Sequence, residues 1–329
     1  MRRRALLLSA PLVLLARPAA ADLVYVLNSG DSSISILDAV TRQELRRIPA
    51  LREVHHLVLS PDGRDLLIAD SGGNEIFFVD PATGDIRRRE RISNPYHLDF
   101  SPDGRFLVIC SLRRNQVDIY DGRSIALLAR LRMPEKPSHM AFRPDSSVVY
   151  VTLQGSGTVA AISLATHQVL WEVPVGREPA GIVWHRGRLV TGIMGSDHFA
   201  VLNPDTREIE KQIPVGRGAH TIFAQPDGRA LWATSRVQSR LAEIDPSTLD
   251  VRRIIDLPGG PDCIAFDPDG RIWVTLRWAG RIARFDPRSG EVETIRVGRS
   301  PHGIFIHPRR AETGGMAQTV SARPATHAR

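Results

Sequence analysis

The chain has 329 residues, 42% of them hydrophobic and 24% charged, which suits a large globular domain and not a disordered chain. Two cysteines cannot build a disulfide framework, and no CxxC, CxxCH or zinc-type spacing occurs, so stapled folds, zinc modules and covalently attached haem are excluded. The formal charge is +7, but only Lys136 and Lys211 are lysines among 43 basic residues and no dense basic stripe forms, so no nucleic-acid partner is expected.

Residues 1–21 read as an export signal. Arg2, Arg3 and Arg4 precede an apolar stretch over residues 5–16, and Ala19-Ala20-Ala21 supplies a cleavage site before Asp22. Arg3-Arg4-Ala5-Leu6-Leu7 is also similar to a twin-arginine signal, so Sec and Tat export both stay open. Cleavage leaves 39 basic against 36 acidic residues, a charge of +3. No later apolar run approaches the roughly 18 residues of a membrane span. A bacterial periplasmic or secreted protein, without a transmembrane segment once the signal is removed, is expected.

From residue 23 the chain repeats itself. Ser60-Pro61-Asp62-Gly63-Arg64 returns as Ser101-Pro102-Asp103-Gly104-Arg105, then as Gln225-Pro226-Asp227-Gly228-Arg229 and Asp267-Pro268-Asp269-Gly270-Arg271. A period of about 41 residues is that of a four-stranded propeller blade. Pro-Asp-Gly is turn chemistry, and short apolar runs flank it. Each unit then ends on a charged strand, as at Arg87-Arg88-Arg89 and Arg252-Arg253, where a solvated rim is expected. Seven inner strands are predicted to begin near His56, His97, His139, Ala180, Thr221, Asp262 and Gly303. The fold class is therefore all-β: a seven-bladed β-propeller of four-stranded antiparallel blades over residues 22–310. Its C-terminal inner strand should close the ring against the N-terminal strands. Residues 311–329 lack apolar periodicity and read as a flexible tail.

Tyr150-Val151-Thr152-Leu153-Gln154-Gly155-Ser156-Gly157-Thr158-Val159, followed by Val175-Gly176-Arg177-Glu178-Pro179, closely resembles the YVTN-type β-propeller repeat, and Ser300-Pro301-His302-Gly303-Ile304 resembles the loop that opens the next repeat. The resemblance spans nearly the whole chain after the signal. It implies an exported bacterial propeller similar to the propeller domains of cytochrome-type nitrite reductases and to surface-layer and quinoprotein-associated propellers.

Propeller ligands sit at one end of the central channel, where the loops opening the inner strands meet the loops between second and third strands. The first loop set carries His55, His56, His97, His139, His220 and His302, six of eleven histidines, with Tyr96, Asp262 and Cys263 at matching places. The second carries Arg113, Arg114, Arg236, Arg277 and Trp278. Three readings follow. The histidines are turn residues that bind nothing. Alternatively, His55, His97, His139, His220 and His302 line a ligand pocket with Tyr96, Arg113, Arg236, Arg277 and Trp278, for an anionic small molecule, a tetrapyrrole or a quinone. Or the same five histidines are candidate ligands of a divalent transition metal, provided that rings from opposite blades reach one another. The expected partner is a small ligand or a periplasmic protein, and the expected state a monomer.

An enzyme remains the alternative. Pro301-His302-Gly303 and Arg271-Ile272-Trp273-Val274-Thr275, followed by Gly280-Arg281-Ile282, resemble streptogramin B lyases, whose mechanism implies a histidine base, acidic residues and magnesium. On that reading His302 or His220 is the general base of a lyase- or lactonase-like reaction, and Asp262 helps hold the metal. The acidic residue that usually follows the Trp-Phe-Thr segment is replaced by Leu276 here. The binding function is the primary reading.

Overall fold

Each repeat becomes one antiparallel sheet. The computed structural model describes residues 22–308, so the expected signal, the end of the 22–310 domain and the tail lie outside the described residues. Within 22–308 the chain forms 28 strands, β1 to β28, in seven four-stranded sheets. The first strands of the blades are β4 (Val54–Leu59), β8 (His97–Phe100), β12 (Pro137–Phe142), β16 (Pro179–His185), β20 (Ala219–Ala224), β24 (Pro261–Phe266) and β28 (Pro301–His307). They ring the hub and are almost wholly buried, whereas fourth strands such as β7 (Ile86–Arg91) and β23 (Val251–Asp256) are exposed and charged. That gradient is the one expected from a packed centre to a solvated rim.

The ring closes without a covalent link. β28 pairs antiparallel with β1 (Leu23–Asn28), from Leu23 opposite His307 to Asn28 opposite Pro301 with one register shift between, and β2 (Ser33–Asp38) and β3 (Glu44–Pro49) complete that blade. The core lies between blades, sheet face against sheet face. Trp232 and Trp273 are fully buried there, and Tyr150 stacks on Trp184 of the next blade at 5.8 Å. No helix among the described residues is long and apolar enough to cross a membrane.

One irregularity recurs at the hub. In β4, Val54 pairs with Asp70 but Leu57 pairs with Ile68, so His55 and His56 together face a single residue. The same shift occurs in β12 at Ser138-His139, in β16 at Ala180-Gly181, in β20 at His220-Thr221, in β24 at Asp262-Cys263 and in β28 at His302-Gly303. A bulge adds one residue, tilts the strand and leaves a backbone N–H outside the ladder. Three blades satisfy that N–H with a threonine from the second strand: His139 N donates to Thr152 Oγ1 at 3.0 Å, Thr221 N to Thr234 Oγ1 at 3.2 Å and Cys263 N to Thr275 Oγ1 at 2.9 Å. The threonine of the YVTN-like motif thus has a physical task, which is to hold the bulge.

Candidate functional site

The bulges set two residues per blade at the hub, in two layers. His55, Tyr96 and His220 line a cavity of about 260 Å³ at the wide mouth. His56, His97, His139, Thr221 and Cys263 line a second space of about 40 Å³ on the other side. The rings cross the channel. The His56 ring centroid lies 4.4 Å from His97, 5.1 Å from His139 and 4.7 Å from His302, and His55 lies 3.7 Å from His302 and 4.1 Å from Tyr96. His139 and His220 are 5.7 Å apart. Every one of these six histidines is buried, so they form one continuous imidazole cluster beneath the mouth.

Asp262 is the only carboxylate among the paired hub positions, and it is fully buried. Its Oδ1 lies 2.7 Å from both Arg236 Nη2 and His220 Nδ1, and its Oδ2 lies 3.3 Å from Arg277 Nη1 and 3.6 Å from His302 Nε2. Burial pushes the carboxyl up, but Arg236 and then the neighbouring imidazoles outweigh it and hold Asp262 well below the usual carboxylate range. Burial pushes the imidazoles the opposite way. His97 falls to about 3, and His220 to about 4 under burial and then Arg236. His55, His56 and His139 also fall well below their ordinary range, by burial first and adjacent rings second; in His302 burial outweighs the pull of Asp262. The cluster is therefore neutral near pH 7, and each ring carries one nitrogen lone pair.

Several of those nitrogens have no hydrogen-bond partner in the protein: His55 Nδ1, His56 Nε2, His97 Nδ1, His139 Nε2 and His302 Nε2. The opposite nitrogens of two rings are fixed. His302 Nδ1 donates to the His55 carbonyl at 2.9 Å, and His139 Nδ1 lies 3.1 Å from Ser138 Oγ.

Three arginines stand around the mouth. Arg236 and Arg277 lean on Asp262 from above, and Arg113, delivered by the short 3-10 turn Leu112–Arg114, pairs with Glu53. All three line the cavity, as do His55, Tyr96 and His220. Trp278 does not: it is 59% exposed and lies over Gly260, where an added Cβ would come within 2.7 Å of its ring. His97 and His139 face the second space, and His302 and Asp262 are sealed beneath the cavity and not among its lining. Asn94, Gln154 and Met194 also line the mouth. They went unnoticed in the sequence because they lack charge, although all three lie beside the loops already singled out.

Fold and site together define a seven-bladed propeller with a polar, histidine-filled hub. The chain matches the model of the YNCE-like beta-propeller family over residues 3–310 and belongs to that family. No curated protein matches its sequence. Among solved structures it is similar to a functionally unknown protein from Desulfotomaculum acetoxidans, with 14% identity, a TM-score of 0.75, and coverage of 88% of this chain and 100% of that one. It is similar to dihydro-heme d1 dehydrogenase NirN in complex with DHE at 18% identity and TM-score 0.67, covering 90% and 77% of the two chains. Virginiamycin B lyase from Staphylococcus aureus matches at 14% identity and TM-score 0.67, covering 87% and 96%. At these identities the likeness shows the fold alone.

Proposed function

We propose that the protein is an exported, non-catalytic binding propeller that takes a small polycarboxylate or similar anion at the arginine-lined mouth. The observation that carries this reading is a surplus of donors. One carboxylate, Asp262, serves two guanidiniums, and the other Arg236 contacts are uncharged: the His220 ring, 2.7 Å from Nη2, and Met194 Sδ, 3.9 Å from Nη1. A positive charge and several N–H groups therefore stay unmatched around the cavity, in the geometry that carboxylates satisfy with paired hydrogen bonds. Size narrows the class. About 260 Å³ lies just below the ~300–1,000 Å³ typical of pockets for drug-sized ligands, which suits a small acid or quinone better than an enclosed tetrapyrrole.

Binding is favoured over turnover because, of the residues read as base and metal holder, His302 and Asp262 do not reach the mouth, and His220, which does, is engaged by Asp262 and Arg236. Asp262 and His302 are sealed, and the Nε2 of His220 lies 2.7 Å from Arg236 Nη2. Export to the periplasm or medium, and a monomeric state, belong to the same proposal and rest on residues 1–21 and the closed ring.

Calorimetric titration of the metal-free protein with citrate, oxalate and inorganic phosphate tests it. Saturable binding of one anion per chain, weakened at least tenfold by Arg277→Gln without a change in melting temperature, is expected. No binding by any of the three, or equal binding by the variant, would overturn the reading.

A further inference from the structure

We infer that the imidazole cluster beneath the mouth is a binding site for a late first-row transition-metal ion, held by His55 Nδ1, His56 Nε2 and His302 Nε2. These three residues form a potential ligand set, with one ring nitrogen from each lying within 4.8 Å of the other two. The three nitrogens are also those left without a protein partner, and all three residues are at least 97% buried. Geometry and hydrogen-bond accounting thus point to the same three residues.

The chemistry fits a metal better than a lone water. A buried polar nitrogen without a partner is costly. Here several acceptors converge, and His302 Nε2 also faces Asp262 Oδ2, another acceptor, at 3.6 Å. A water brings only two hydrogens to such a set, whereas one cation takes three or four lone pairs at once. The His302 ring carries a further mark of a metal ligand: its other nitrogen donates to a backbone carbonyl, that of His55, which fixes the tautomer with Nε2 bare. Imidazoles with a nearby carboxylate suit zinc, copper or cobalt(II) and not calcium or magnesium.

Distances set what must move. Ligand nitrogens about 2.0–2.1 Å from a tetrahedral ion sit about 3.4 Å apart, so rings within 4.8 Å close the difference by small side-chain rotations. Asp262 Oδ2 is the nearest anionic oxygen for a fourth position. Access runs from the mouth, because His55 lines the 260 Å³ cavity. The inference goes beyond the anion reading and shares with it only His55 and Asp262, the arginines of the mouth taking no part.

The test is a titration of untagged, metal-free full-length protein with Co(II) and Zn(II), read by visible absorption and by metal content after gel filtration. One ion per chain is expected, with the intense visible bands of tetrahedral cobalt. His56→Gln and His302→Gln should each weaken binding at least a hundredfold, and His198→Ala, at a half-buried histidine outside both cavities, should bind as wild type. Fewer than about 0.1 ion per chain in wild type would overturn the inference, as would undiminished binding in either folded hub variant. Should both hub variants fail to fold, the wild-type cobalt spectrum decides: weak octahedral bands contradict an imidazole site. Anion binding by the metal-free protein is read separately, so either proposal can fail alone.

Discussion

Thr275 shows how much the hub asks of one hydroxyl. It accepts the bulge N–H of Cys263 at 2.9 Å and donates to the carbonyl of His302 in the next blade at 2.8 Å. Thr275→Val keeps the shape but leaves a buried donor and a buried acceptor unmatched, so a loss of about 1–3 kcal/mol in urea unfolding is expected, with Thr275→Ser retaining most of it. The histidines add a pH dependence. They face one another, Asp262, Arg236 and Arg277, and their folded pKa values lie below the ordinary 6.5, at about 3 for His97 and about 4 for His220. The unfolded chain therefore takes up protons first as pH falls. Stability of the metal-free protein should be full above about pH 6.5 and should decline steadily as pH falls towards 4, as measured by denaturant midpoints. The cluster of imidazoles was legible in the sequence because six histidines share one repeat position. Which of them face the mouth was not, since a hydroxyl or an amide such as Thr275 or Asn94 gives no charge or period to read.

At the scale of the element, the bulge explains what alternation alone misses. A regular strand sends His55 and His56 to opposite faces; the bulge in β4 turns both towards the hub, one to each cavity. Strand spans and turns were readable from Pro-Asp-Gly and its apolar flanks, but this register shift has no local signature beyond the threonine opposite it in three blades. The outer turns carry a second lesson. Gly84 and Gly290 occupy left-handed backbone at φ +79°, and Arg207 occupies the matching place at +66° with an exposed side chain. A non-glycine residue there carries a cost of about 1–2 kcal/mol, partly offset by the freedom glycine loses on folding. Arg207→Gly is expected to stabilise the protein by roughly 0.5–1 kcal/mol in the same unfolding assay. Gly84→Ala should do the reverse, because its Cβ would strain the left-handed backbone and press on the buried Ile36 Cδ1.

The whole molecule depends on one non-covalent seam. β28 contributes Ile304, Phe305 and Ile306, all buried, to the blade begun by β1. At about 1.5–3 kcal/mol for each such side chain, the seam is comparable with the entire 5–15 kcal/mol margin of a typical domain. A chain ending at Ser300 should therefore lose its cooperative thermal transition in circular dichroism; a sharp melt near the wild-type temperature would show that the ring tolerates an open edge. The blade number and closure were legible because repeat period and strand order are long-range properties of sequence. The convergence of rings from non-neighbouring blades was not, because it depends on how far the bulged strands lean into the channel. Both proposed sites depend on those rings forming one buried, uncharged cluster below the arginines. Nitrogen-detected NMR of the histidine side chains in metal-free protein examines this most directly. Six imidazoles that remain neutral from pH 8 to 5, each in a fixed tautomer, are expected, and six rings titrating together near pH 6.5 would contradict it.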